Sequence, residues 1–537
     1  MSTIKSLVRA LTLFCTATAA GSAAQAGSQE AARDWTPLPA PEHETPQHWY
    51  DSGQQALQDA LAMQAITAPA RNVILFIGDG MGVSTVTAAR IHDGQQRGQS
   101  GEENSLSFES FPHIALSKTY NSNQQTADSA GTMTAMMAGI KTRAGVIGLN
   151  QHALRADCDS AQQTEVPNFL QQMAAANRST GIVTTTRITH ATPAATYAHS
   201  PERDWEVDSE MPWQALNSGC QDIARQLLDA EYGGRPDVAL GGGLLHFLPD
   251  HASGPLGGNG NRLDGRDLTR EWQALAPDAE FIWNRDQLLA LETDRLRPVL
   301  GLFSNSHMPY AVDREGADAT EPGLPQMTGT AIELLQNNPE GFFLMVEGGR
   351  IDHGHHAGNA YRALEDTREF AEAVRVAREM TDEQDTLIIV TADHSHTLTL
   401  AGYPTRGNPI LGTVVGNDAR GQPEHDSRLA TDNLPYTTLG YRDGRGFADG
   451  VGGDLRYRHP PATGRHDLSE IDTTHPDFHQ EALVPMAMEG HAGEDVTIYA
   501  LGPWAHLFHQ THEQHYIYHV MRHAAQLDAH GSAQGGS

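Results

Sequence analysis

The chain has 537 residues, with 36 Lys plus Arg against 67 Asp plus Glu and a formal net charge of −31 at pH 7. Nucleic-acid binding by phosphate neutralisation is excluded, because it needs a basic face and this chain repels a duplex. Hydrophobic residues make up 39% and charged residues 19%, which is enough apolar material for a large globular core. Lysine is nearly absent, at Lys5, Lys118 and Lys141 only, and an acidic, lysine-poor composition points to a salty habitat.

At the start of the chain, Met1 to Ala26 combines basic Lys5 and Arg9 with an apolar run from Leu7 to Ala20 and small residues ending Ala24-Gln25-Ala26. The pattern predicts a secretory signal peptide cleaved after Ala26, since the run is too short to span a bilayer. Loss of Lys5 and Arg9 takes the formal charge from −31 to −33, and loss of Cys15 leaves Cys158 and Cys220. Two cysteines in an exported chain suggest one disulfide. No other window holds 18 consecutive apolar residues, and the tail from Gln526 to Ser537 is polar. A periplasmic or secreted protein without a membrane anchor is expected.

Residues 27–45 read as irregular, and Trp49 to Ile66 has helical periodicity. Beyond them, short β-branched runs alternate with Ala-, Leu- and Arg-rich stretches. The runs are Asn72 to Ile77, Gly181 to Thr185, Phe342 to Val346, Thr386 to Thr391 and Val496 to Leu501. Such alternation predicts an α/β fold, a large mostly parallel sheet flanked by helices. Gly402 to Met488 breaks the pattern with many turn residues, and reads as an inserted subdomain.

Ligands in open α/β sheets bind beyond the carboxyl ends of the strands. There the first run leads into Asp79, the third into Glu347, Asp352, His353 and His356, and the fourth into Asp393 and His394; His491 precedes the last. Each alone is a weak signal, since an Asp in a Gly-rich loop is more often a turn residue. Convergence of three strand ends changes the balance, because so many carboxylates at one edge repel one another without cations. Mixed Asp and His donors suit zinc, and carboxylates with hydroxyls suit magnesium. Gly78, Gly80 and Gly82 are not a dinucleotide fingerprint, whose third glycine falls at Val83 and whose pyrophosphate Asp79 repels. Ser129 in Asp128-Ser129-Ala130-Gly131-Thr132 reads either as a nucleophile at a helix start or as an ordinary helix cap.

Taken together, these residues resemble the alkaline phosphatase family, closer to its animal members than to the enterobacterial type. The matching stretches are Asn72 to Arg90, Ile114 to Tyr120, Asp128 to Thr132, Gly181 to His199, Gly341 to Leu364, Thr386 to His396 and Gly490 to Val496. The resemblance implies two zinc ions and one magnesium beside a phosphorylatable serine. It assigns Asp352, His356 and His491 to the first zinc and Asp79, Asp393 and His394 to the second, with Ser129 as nucleophile. Magnesium is assigned to Asp79, Thr192 and Glu347, with His190 acting through water. Arg203, which nothing else distinguishes among the arginines, becomes the phosphate clamp, and His353 joins the substrate side. His190 and His353 follow the animal pattern where enterobacterial enzymes have Asp and Lys. Cys158 and Cys220 match a disulfide of the animal enzymes.

The resemblance also implies a homodimer embraced by the helix over Trp49 to Ile66, and a crown over 402–489. The expected organisation is then a signal peptide (1–26), an arm and helix (27–66), an α/β core (67–401), the crown, and the end of the core with a polar tail (490–537). The calcium site of the animal enzymes does not carry over. Phe303 is followed by Ser304 where they have Glu, Glu321 stands for the later acid, and no counterpart of the remaining Glu lies between Asp250 and Gly260. The implied reaction is hydrolysis of small phosphate monoesters. Rival readings are a phosphodiesterase or sulfatase on the same fold and, more distantly, a non-catalytic metal-binding protein.

Overall fold

The computed structural model describes residues 38, 41, 43–229, 234–314, 320–446 and 465–527. The expected signal peptide, most of the arm, residues 447–464 of the expected crown and the tail beyond Leu527 lie outside the described residues.

Among the described residues, ten strands build the main sheet: β1 (Asn72–Gly78), β2 (His113–Lys118), β3 (Ser179–Arg187), β4 (Val238–Gly242), β5 (Glu280–Ile282), β6 (Val299–Leu302), β7 (Phe342–Gly348), β8 (Thr386–Ala392), β14 (Val496–Leu501) and β15 (Thr511–Glu513). Five short strands lie outside it, β9 (Ser395–His396), β10 (Leu398–Leu400), β11 (Leu439–Gly444), β12 (Ala482–Pro485) and β13 (His491–Ala492). The order in the main sheet is β15-β2-β14-β8-β1-β7-β3-β4-β6-β5. Within it β14 alone runs against its neighbours, pairing antiparallel with β8 and β2.

The central strands show why this sequence makes a parallel sheet. Every residue of β1, β7 and β8 is buried, and each reads as a continuous apolar run because helices cover both faces. Alternate side chains of β1 therefore enter different cores. Val73, Leu75 and Ile77 pack with Met133, Met136 and Met137 of a helix over Ser129–Ala138, while Ile74 and Phe76 pack with Leu364, Phe370 and Val374 of a helix over Ala360–Met380.

Sequence periodicity starts the first helix at Trp49, whereas α1 spans Pro46–Ala62. Thr45 accepts from the His48 N–H at 3.1 Å and Pro46 occupies the first turn, so capping chemistry moves the start three residues back. No residue of α1 is buried.

In the expected crown, β11 and β12 pair into a three-stranded sheet whose third strand, β10, lies just before it in the expected core. Ile410, Leu411, Leu439 and Tyr441 from this region join the Ile74 core, so part of it is continuous with the main body. Cys158 and Cys220 form a disulfide across a sequence separation of 62, packed against Trp205 and Met211. On the chain-entropy account such a bridge stabilises by about 4 kcal/mol.

Candidate active site

Strands β8, β1, β7 and β3 are consecutive in the sheet, and their carboxyl ends carry the site. Ile77 pairs with Glu347 on one side and Thr391 on the other, so Asp79, Glu347 and Asp393 emerge next to one another. The turn after β1 depends on Gly80, whose φ is +69°; a Cβ there meets the His396 ring at 2.2 Å. Its free N–H donates to Asp393 Oδ1 at 3.0 Å.

Beside β7, Asp352 and His356 lie one turn apart on a helix over Arg350–His356, and His491 starts β13. Asp352 Oδ1 is 3.2 Å from His356 Nε2 and 3.4 Å from His491 Nε2. The two Nε2 atoms are themselves 3.1 Å apart. His356 Nδ1 donates to the Glu489 carbonyl at 2.6 Å and His491 Nδ1 to the Ala127 carbonyl at 2.8 Å. Each Nε2 is therefore a bare lone pair, and three acceptors converge on one point.

A second group forms where β8 ends. His394 Nε2 lies 3.2 Å from Asp393 Oδ2, 3.4 Å from Asp79 Oδ1 and 3.1 Å from Ser129 Oγ. Ser129 is the first residue of its helix, with Asp128 accepting from the Gly131 N–H as cap. A third group joins Asp79, His190 and Glu347, and Thr192 Oγ1 sits 3.5 Å from Asp79 Oδ2. Glu347 Oε2 is held by Thr184 and by Thr186 at 3.1 Å.

These donor sets fit divalent cations. In each group the carboxylate and imidazole atoms lie within 4.8 Å of one another. Asp79 Oδ1, Glu347 Oε1 and His190 Nδ1 are buried without a hydrogen-bond partner, as fits a site that a bound cation or its water completes. Burial, then the charges of Asp393, Asp352 and Glu347, pushes the Asp79 carboxyl far up, and burial lifts Glu347 to about 7. Cations reverse this repulsion. Burial, helped by His491, holds His394 well below its usual range, which favours the neutral ring a metal requires.

Beside these groups, Arg203 is part-buried, with Nη1 donating to Asp128 Oδ2 at 3.1 Å and Nη2 3.3 Å from His190 Nε2. His353 accepts at Nδ1 from Arg350 at 2.8 Å and packs against His307, ring centres 4.3 Å apart. The structure thus brings together Asp79, Ser129, His190, Thr192, Arg203, Glu347, Asp352, His353, His356, Asp393, His394 and His491.

Sequence reasoning missed several contributors. His396 sits among the first group, but its Nε2 bonds Asp352 at 2.7 Å and its Nδ1 bonds Glu489 at 2.5 Å. Both nitrogens face carboxylates, and against the effect of burial Glu489 and Asp352 push the imidazole up to about 10, so both ring nitrogens are engaged by carboxylate partners. Thr184, Thr186, Asp128 and His307 were also unread. The one signal available was spacing, since His396 stands two residues after His394 and Glu489 two before His491.

The fold and site define an enzyme class with a carboxylate and imidazole metal centre at the carboxyl edge of a parallel sheet. The alkaline phosphatase family profile matches residues 70–527. The chain is 44% identical over 497 residues to the tissue-nonspecific alkaline phosphatase of Gallus gallus, covering 90% of each chain. It is 44% identical over 494 residues to that of Homo sapiens, covering 90% of this chain and 89% of the other, and 42% identical over 496 residues to an alkaline phosphatase of Gadus morhua, covering 90% and 98%. Among solved structures, the Thermus thermophilus alkaline phosphatase matches with a TM-score of 0.59 at 22% identity, covering 89% of this chain and 95% of the other. The alkaline phosphatase of the Antarctic bacterium TAB5 matches with 0.56 at 24%, covering 86% and 99%. The chain belongs to the alkaline phosphatase family, and it is a phosphoric monoester hydrolase.

Proposed function

We propose that phosphate monoesters are cleaved through a phosphoserine on Ser129, at a site for two zinc ions and one magnesium. The observation that carries this reading is the 3.1 Å approach of Ser129 Oγ to His394 Nε2, at a helix start and within reach of the Arg203 and Asp128 pair. Asp352, His356 and His491 would hold one zinc, and Asp79, Asp393 and His394 the other. The oxygen-rich set of Asp79, Glu347 and Thr192, with His190 beside it, suits magnesium. When bound, the zinc pair lends Lewis acidity to the attacking and departing oxygens, and magnesium adds compensating charge.

The chain's own residues do the rest. Arg203 grips two phosphoryl oxygens with its planar guanidinium, and Asp128 fixes its orientation. Ser129 Oγ attacks phosphorus in line, forming one P–O bond as the ester P–O bond breaks and the alcohol departs. The free N–H groups at the helix start favour the anionic phosphoseryl group. Water then attacks phosphorus, the bond to Ser129 Oγ breaks, and inorganic phosphate leaves.

Export and dimerisation belong to the same reading. Among the described residues no helix is long and apolar enough to cross a membrane. Trp49, Tyr50, Leu57 and Leu61 of α1 are exposed, and Tyr403 is 88% exposed, so apolar surface is offered to a second copy. Sedimentation of the mature protein and of a variant lacking 46–62 tests the dimer; equal monomeric masses overturn it. For the chemistry, metal analysis is paired with p-nitrophenyl phosphate and bis-p-nitrophenyl phosphate turnover. Monoester preference with two zinc and one magnesium per chain is expected, and dominant diester cleavage overturns it.

A further inference from the structure

Glu489 is not among the residues assigned to a metal or to phosphate, yet it contacts every segment that builds the first group. Its side chain is fully buried. Oε1 accepts from the Thr397 N–H and the Thr397 hydroxyl, each at 2.7 Å, and Oε2 accepts from His396 Nδ1. The opposite nitrogen of His396 donates to Asp352 Oδ1 at 2.7 Å. Glu489 therefore sets, through one imidazole, where the Asp352 carboxylate lies.

Its backbone acts on the neighbouring ligand. The Glu489 carbonyl accepts from His356 Nδ1 at 2.6 Å, and its N–H donates to the His356 carbonyl at 3.0 Å. The first bond fixes the tautomer that leaves His356 Nε2 as a lone pair. Two residues on, His491 pairs across the β9 and β13 bridge with His396 itself. One residue thus ties together helix Arg350–His356, β9 and β13.

We propose that Glu489 is a positioning residue for the first metal group, holding Asp352 through His396 and His356 through its own carbonyl, so that zinc meets a preformed donor set. The carboxylate is needed rather than a polar group of the same shape. It accepts from three donors, while an amide must turn its NH2 toward at least one of them. Losing such an outer partner weakens metal binding about 10–100-fold.

The inference rests on the zinc reading above, so its test separates the two. Zinc affinity of the metal-stripped, refolded full chain is measured by chelator competition for the parent, Glu489→Gln, Thr397→Val and His356→Ala. His356→Ala should lose one tight zinc; if it keeps the full complement, the zinc reading fails. With that loss established, Glu489→Gln is expected to bind the full complement at saturating zinc, with about 10–100-fold lower affinity at one site. Thr397→Val, which removes one donor and keeps the shape, is expected to weaken the same site by a few-fold and decides the matter if Glu489→Gln does not fold. Parental zinc affinity in the folded variants overturns the proposal.

Discussion

His356 and His491 point their Nε2 lone pairs at each other across 3.1 Å, each ring having committed its Nδ1–H to a backbone carbonyl. With Asp352 Oδ1 within 3.4 Å of both, the arrangement is repulsive or unsatisfied until a cation binds. Metal removal should therefore cost stability as well as activity. EDTA is expected to abolish monoester hydrolysis and lower the melting temperature, and zinc with magnesium to restore both. A ligand present at 1,000 times its Kd stabilises by about 4 kcal/mol per site. Full activity after verified metal removal would contradict the site's chemistry.

Ser129→Ala should lose the phosphoenzyme while retaining its metals. The serine is 2% exposed and its cap is Asp128, so the hydroxyl is not what holds the helix start. Trapping with labelled inorganic phosphate at mildly acid pH is expected to label the parent and leave the variant blank. A labelled serine in Ser129→Ala moves the nucleophile elsewhere.

Arg203→Ala removes a part-buried guanidinium that reaches both Asp128 and His190. A charge-assisted bidentate grip exceeds a neutral one, each hydrogen bond to a charged group contributing about 1.5–3 kcal/mol. Inhibition by inorganic phosphate is expected to weaken by roughly 10–100-fold, with measurable turnover remaining. Unchanged inhibition assigns the clamp to another arginine, with Arg187 and Arg350 the nearby alternatives.

The strand ends that carry the site were legible because a buried parallel strand announces itself as a short apolar run and the residues just past it face the site. Asp79, Glu347 and Asp393 follow such runs directly. Strands β4, β5 and β6 gave no comparable signal; they span five, three and four residues, and β4 ends in glycines. His396 and Glu489 were illegible for another reason. They lie 93 residues apart, and only the pairing of β9 with β13 brings their segments together. Thr184 and Glu347 meet only because β3 and β7 are neighbours in register.

Asp366 offers a pH test away from the metal groups. Its carboxyl is buried and pushed up to about 7, burial being the main cause, with Glu369 adding and Arg314 opposing. Oδ2 accepts from the Ala311 N–H at 3.1 Å and Oδ1 has no partner. A raised folded pKa gives stability that is complete below the ordinary value of about 3.9 and is lost as pH rises through about 7. Asp366→Asn cannot ionise, so its melting temperature should gain on the parent between pH 5 and 8. The lifted penalty is at most about 4 kcal/mol at 1.36 kcal/mol per unit. A constant difference across that range shows that Asp366 does not titrate there.

The last prediction concerns the charge of the whole molecule. A formal charge of −31 makes the folded chain repel itself, and a phosphate dianion approaches the same negative field. Salt shortens both repulsions, from a Debye length of about 10 Å at 0.1 M to about 3 Å at 1 M. It also weakens attractive pairs such as Arg375 with Glu372 and Glu379, but these are exposed and contribute at most about 1 kcal/mol each. Excess acids outnumber such pairs' partners across the surface, so relief of repulsion wins. With three lysines in the chain, few long ammonium groups interleave the carboxylates. The melting temperature is expected to rise between 0.1 and 3 M NaCl, with activity maintained or enhanced. A flat or falling melting temperature together with activity lost at high salt would separate the acidity from salt adaptation.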